Sequence, residues 1–342
     1  MLLSLPSITE PIMRTFFIVS IFALVFFVLP VGAETGAAKI PQVDSGSAMD
    51  ATESIRVAML LKKMTEASHS FNYQGVFTYL HKDNPNLQSF KVTHWLENGV
   101  EYERLQHLNG LDREVLRTGK ALGCSSLGDE LLQGKLGKLG ANVAQLDKFY
   151  KFEIRGPERI AGRMATVLLA LPLDQFRYSY FLSIDDETGL VLKSWLVDEA
   201  ASPLERYQFI DLNLNPDPRQ LKVLPPAKLS IAASPQLAEC NPADVKEPSG
   251  WQLKWVPPGF AFVAQRHVRQ EIDMLMYTDG LTTFSVFIQQ AEGASPQGVA
   301  QRGATLAVMD ALRYHDKNYR VTVVGEIPIV TAQKIAQNLV GN

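Results

Sequence analysis

The sequence predicts an α+β protein, with a large antiparallel sheet in a first domain and a smaller α+β domain at the C-terminal end. Three features predict it. Between 71 and 212, strand-like runs rich in Val, Phe, Tyr and Thr follow one another through Asn98-Gly99, Asn109-Gly110 and a turn at 185–189. Asx-Gly pairs supply the left-handed conformations that tight hairpins need, so consecutive pairs imply a meander. The stretch 213–250 then carries seven of the nineteen prolines and no hydrophobic period, as a linker does. From Trp251 onward strand signals resume and end in one helical pattern.

Residues 1–33 read as an export signal. Arg14 precedes an apolar run from Phe16 to Leu29, and Val31-Gly32-Ala33 fits the small-residue cleavage rule. The alternative is an uncleaved anchor, for which the run is short against the about 20 residues of a membrane span. Residues 34–49 form a small, polar leader. The first domain is placed at 50–215, the linker at 216–250 and the second domain at 251–342. Asp50 and Glu53 stand at capping-box spacing, and Val57, Leu60, Leu61 and Met64 then share one helical face.

Strands are expected at 73–80, 90–96, 100–108, 111–117, 164–171, 178–184, 190–197 and 204–212, with Asn84-Pro85-Asn86 breaking the first from the second. The run 190–197, which includes Trp195, is apolar on both faces, so part of the sheet must be covered on both sides. A strongly curved sheet with helices packed inside it satisfies this, and so does an ordinary sandwich. The Gly- and Lys-containing stretch 128–141 reads as a mobile loop. In the second domain, 253–256 leads into a turn at Pro257-Pro258-Gly259, strands are expected at 260–269, 272–278, 281–289 and 319–324, and Asp279-Gly280 closes a hairpin. The segment 304–312 reads equally as strand or helix. Thr331 is placed to cap a last helix whose Ala332, Ile335, Ala336 and Leu339 share a face.

The residues argue against several chemistries. A net charge of −3 gives no bulk attraction to nucleic acid. The six His (His69, His81, His94, His107, His267 and His315) show no metal-ligand spacing, so they read as satisfied or exposed side chains. Gly123-Cys124-Ser125-Ser126 is followed by Leu127 where a nucleophile elbow needs glycine. Asp185-Asp186-Glu187 reads as solvated turn carboxylates, since a calcium-loop pattern is missing. Cys124 and Cys240 form either one disulfide in an oxidising compartment or two isolated thiols. No catalytic residue, metal or cofactor is assigned, and the chain does not read as an enzyme.

What is abundant is apolar strand surface: Phe77, Tyr79, Trp95, Leu105, Tyr180, Leu182, Trp195 and Phe209. These are either plain core or the lining of a cavity for acyl chains. At about 0.8 kcal/mol per buried CH₂, one long chain supplies on the order of 10 kcal/mol before ordering costs, with no catalytic group required. In the second domain, eight Lys and Arg against seven Asp and Glu leave no overall basicity. Arg266 and Arg269, with Tyr277 and Phe284, are candidates for gripping a partner peptide, by a local Arg patch suited to acidic groups.

Several segments resemble the RseB/MucB family: FRYSYFLSIDDETGLVLKSWLVDEAASPLERYQFIDLNLN at 176–215, WVPPGF at 255–260, YTDGLTTFSVFI at 277–288 and VTVVGEIPIVTAQKIAQNLV at 321–340. SFNYQGVFTYLHK and VEYERLQHLNGLDREVLR in the first domain agree. The resemblance implies a periplasmic negative regulator of the envelope-stress sigma factor. Its first domain would be a half-open, strongly curved antiparallel barrel with plugging helices, similar to the lipoprotein carriers LolA and LolB. It implies a partner, the periplasmic segment of an RseA/MucA-like anti-sigma factor, and ligands that loosen that grip, lipopolysaccharide or lipoprotein acyl chains. A lipoprotein or lipid carrier is the alternative function, and homo-oligomerisation is left open.

Overall fold

The computed structural model describes residues 51–67, 70–98, 100–110, 112–119, 146–221, 250–267, 272–293 and 296–342. The export signal, the leader, the capping residue Asp50, the 128–141 loop, most of the linker and both cysteines lie outside the described residues.

Helix α1 (Ala51–Ala67) puts Val57, Leu61 and Met64 into the first core, with Leu60 at its margin. This is the apolar stripe that the 3.6-residue period dictates. Strands β1 (Tyr73–His81), β2 (Asn84–Glu97), β3 (Val100–His107) and β4 (Glu114–Gly119) make one antiparallel meander. Strands β5 (Tyr150–Ile160), β6 (Arg163–Pro172), β7 (Ser179–Asp185), β8 (Val191–Val197) and β9 (Pro203–Asn213) make a second. Antiparallel pairing of β1 with β9 fuses them into one nine-stranded sheet, β4-β3-β2-β1-β9-β8-β7-β6-β5, open at β4 and β5. Among the described residues the first domain is therefore built on a single unclosed sheet and not on a sandwich of two.

Two departures from expectation have local causes. The first hairpin turns at Lys82 and Asp83, so Asn84-Pro85-Asn86 begins β2 where a break was expected. Strand β5 carries no clear strand signal in the sequence, because Gly156 and Pro157 interrupt it. As the end strand it pairs with β6 alone, with a bulge between Ile154 and Gly156. A proline without an N–H is tolerated at such an edge.

A helical turn, α2 (Pro218–Leu221), packs against β2. The second domain holds a six-stranded antiparallel sheet of β11 (Ala261–His267), β12 (Ile272–Thr278), β13 (Thr283–Ala291), β14 (Gly298–Arg302), β15 (Thr305–Tyr314) and β16 (Lys317–Gly325). Its order is β11-β12-β13-β16-β15-β14, beside a small pair of β10 (Trp251–Leu253) and β17 (Leu339–Gly341). The ambiguous segment 304–312 is thus strand, settled by its pairing with β16. Helix α3 (Ile329–Gln337) packs Ala332, Ile335 and Ala336 into the second core, joined by Leu339. It starts behind Pro328, three residues earlier than expected, so Thr331 is buried in its first turn and does not cap it.

Candidate functional site at the domain junction

The two domains share a core. Leu281 and Ala304 of the second domain belong to the same apolar cluster as Val57, Leu61 and Met64 of α1 and Tyr150, Phe152, Tyr180 and Leu182 of the first sheet. The tip of the β12–β13 hairpin, Asp279-Gly280-Leu281, makes this insertion. Gly280 adopts φ 100° there, a left-handed value that favours glycine.

A buried polar cluster sits at the inserted tip. The Arg177 and Asp279 side chains are both 0% exposed, and the Arg177 Nε donates to Asp279 Oδ2 at 2.6 Å. The Tyr150 hydroxyl donates to the same oxygen at 3.0 Å. The other carboxylate oxygen, Oδ1, accepts the backbone N–H groups of Leu281 (2.9 Å) and Thr282 (2.8 Å), which shapes the hairpin tip. Arg177 also donates to Asp174 and to the Pro258 carbonyl, and its guanidinium lies 5.0 Å from the Phe149 ring centre and 4.9 Å from that of Phe260. Burial, followed by the Asp279 charge, pushes the Tyr150 hydroxyl well above its ordinary range, so it remains a donor. Burial opposes the charge on Arg177, but Tyr150 and Asp279 outweigh it and hold the guanidinium above its usual value.

Further contacts extend the junction. Phe176 meets Trp255 edge to face at 5.2 Å, and Lys334 of α3 stands 3.9 Å from the Trp255 ring centre. A Cβ on Gly259, at φ 87°, would overlap the Phe149 ring. The N–H groups of Gly303 and Ala304 donate to Asp83 (2.6 Å) and Glu205 (2.8 Å) of the first domain. The sequence blocks FRYSYF, WVPPGF, YTDGL and IVTAQKIA thus meet at one place. Arg177, Tyr150 and Asp279 were not singled out in the sequence. The available signal was a charged residue inside an otherwise apolar block and an Asp-Gly tip read as a turn alone.

Among the residues expected to line an acyl cavity, the strand register separates two groups. Phe77 pairs with Phe90 and Phe209, Tyr79 with Tyr207, Tyr207 with Ser194, and Ser194 with Leu182. With the period-2 alternation, Phe77, Tyr79, Leu105, Tyr180, Leu182 and Phe209 share one face of the sheet. Rings of Phe77, Phe90, Tyr207 and Phe209 pack there at 4.8–5.9 Å. Trp95 and Trp195 point to the opposite face. Trp95 is buried and stacked on Tyr102 at 5.0 Å. Trp195 is half-buried between Arg206 at 4.7 Å and Lys193 at 5.1 Å.

The four residues expected to grip a partner are also set apart. Tyr277 and Phe284 stack at 5.1 Å inside the second core, 4% and 0% exposed, so they present no surface. Their strands are apolar on both faces, which hides from the sequence which residues face out. Arg266 lies in β11 opposite Met274, and Arg269 falls outside the described residues. Of the three turn carboxylates, Asp186 and Glu187 are exposed as expected and Asp185 is not. Asp185 is fully buried, held by Arg163 through two bonds of 2.8 and 2.9 Å and by Thr188. His94 is buried with its ring nitrogens 2.7 Å from the Phe71 carbonyl and 3.0 Å from Glu101. Among the described residues no group of three or more His, Cys, Asp or Glu is placed to hold a metal, and no helix is long and apolar enough to cross a membrane.

Two joined β-rich domains meet at a buried ionic junction, beside an aromatic sheet face, and the polar groups at that junction hold structure together. Residues 56–229 match the MucB/RseB N-terminal domain and residues 245–340 the MucB/RseB C-terminal domain, so the chain belongs to the MucB/RseB family. It is 34% identical over 302 residues to the sigma factor AlgU regulatory protein MucB of Pseudomonas aeruginosa, covering 85% of this chain and 93% of that one. It is 28% identical over 295 residues to the sigma-E factor regulatory protein RseB of Escherichia coli, covering 82% and 89%. A crystal structure of MucB in complex with MucA(peri) superposes with a TM-score of 0.63 at 34% identity, over 84% of this chain and 99% of that one.

Proposed function

We propose that this chain is an exported periplasmic regulator. It binds the periplasmic segment of a transmembrane anti-sigma factor, shields that segment from regulated proteolysis and so keeps the envelope-stress sigma factor inactive. The observation that carries this reading is the similarity, over both domains, to a MucB crystallised with MucA(peri). The joined core supports it physically. A junction already ordered in the free protein lets both domains meet one partner segment without a fresh ordering cost. Arg266 and Arg269 supply cations toward acidic groups of that segment, while Tyr277 and Phe284 stay within the second core.

Release follows when an acyl chain of lipopolysaccharide or a lipoprotein occupies the face formed by Phe77, Tyr79, Leu105, Tyr180, Leu182 and Phe209. Such a ligand releases the partner only if it binds the free form better than the complex. Calorimetric titration of residues 34–342 with the periplasmic segment of the same organism's anti-sigma factor tests this, with and without lipopolysaccharide. Tight binding that weakens with lipid is expected. No binding in either condition removes the regulator reading and favours a lipid carrier.

A further inference from the structure

The Tyr150 side chain belongs to two places at once. Its ring lies in the apolar cluster with α1, beside Tyr180 and Leu182, and is 1% exposed. Its hydroxyl ends on Asp279 of the second domain, on the same oxygen that receives Arg177. Leu281, two residues from Asp279, is in the same cluster. A packed core rearranges in discrete steps because it is too dense to deform continuously. An apolar chain that enters between α1 and the sheet therefore competes for space with the side chains packed there, Tyr150 and Leu281 among them. Displacing either withdraws a partner from Asp279 or moves the hairpin tip that Asp279 shapes.

We propose that Tyr150 is a positioning residue that couples occupancy of the first domain's apolar cluster by an acyl chain to the grip of the domain junction, through Asp279 and Arg177. This rests on the lipid-release reading above and gives it a route. By linkage, lipid then weakens partner binding and partner weakens lipid binding by the same factor.

The test compares the ratio of partner Kd with and without lipid A for the wild-type chain and for Tyr150→Phe, which keeps the ring and removes the hydroxyl. The expected result is a ratio well above one in the wild type and at least fivefold smaller in the variant, with lipid A still bound. A wild-type ratio above one that is unchanged in Tyr150→Phe overturns the coupling and leaves lipid release standing. A wild-type ratio of one removes both. Hydrogen exchange on the wild-type chain gives a readout independent of the variant. Lipid A should lower protection of the Leu281 and Thr282 amides, which bond to Asp279, and unchanged protection overturns the proposal.

Discussion

Arg177 shows how much a single side chain can hold. Its charge is wholly buried, and its acceptors come from both domains: Asp174 on its own side, Asp279 and the Pro258 carbonyl on the other. Removing one member of a buried pair leaves the other charge uncompensated, at a cost of about 3–5 kcal/mol. Arg177→Met should therefore lower unfolding free energy by about that amount in urea titration, and a loss below about 1 kcal/mol would show that the pair is not what fastens the junction. Asp185 carries a pH prediction. Burial raises its carboxyl pKa, but hydrogen bonds from Arg163 and Thr188 outweigh that and leave it below the ordinary value. A depressed folded value means stability present above the unfolded carboxylate value of about 3.9 and lost as pH falls through the folded value. The thermal midpoint should thus fall more steeply below about pH 4 in the wild type than in Asp185→Asn, and parallel slopes would contradict the assignment.

At the scale of elements, the sheet face decides which substitutions matter. Trp195 stands on the face opposite Tyr180 and Leu182, held by two cations in partial contact with solvent. Such cation–aromatic contacts are worth about 0.5–1 kcal/mol each. Trp195→Leu should cost little stability and leave lipid affinity unchanged, whereas Tyr180→Ala should reduce that affinity. Equal losses of affinity in both variants, measured by titration with lipid A, would mean that the face assignment is mistaken. The α1 stripe and most hairpins were legible in the sequence, because periodicity and Asx-Gly turns are local signals. Strand β5 was not, because its Gly156-Pro157 pair is admissible only at an edge, and edge position is a property of the assembled sheet. The β1–β9 pairing joins residues more than a hundred positions apart and leaves no local trace.

For the whole molecule, the shared core has a thermodynamic consequence. Leu281 and Ala304 bury themselves in the first domain's cluster, so neither domain can lose its packing without exposing part of the other's. Scanning calorimetry should give one cooperative transition for the full chain, and two resolved transitions would show that the domains unfold independently. The proline-rich stretch between the domains leaves the angle between them undetermined in the sequence. The inserted hairpin and the Arg177–Asp279 pair fix it instead.

By itself the sequence determined a mostly antiparallel, strand-rich fold with few helices and the order of most of its elements. Each of these rests on period, turn chemistry or spacing within a few tens of residues. Its diagnostic blocks also pointed to the family. Only the tertiary structure decided that those blocks meet at one junction, that Tyr277 and Phe284 are core, and that the two first-domain tryptophans face away from the aromatic cluster. Those outcomes depend on which face of a two-sided apolar strand is covered and by what. Burial of that kind is a property of the assembled fold and not of any segment read alone.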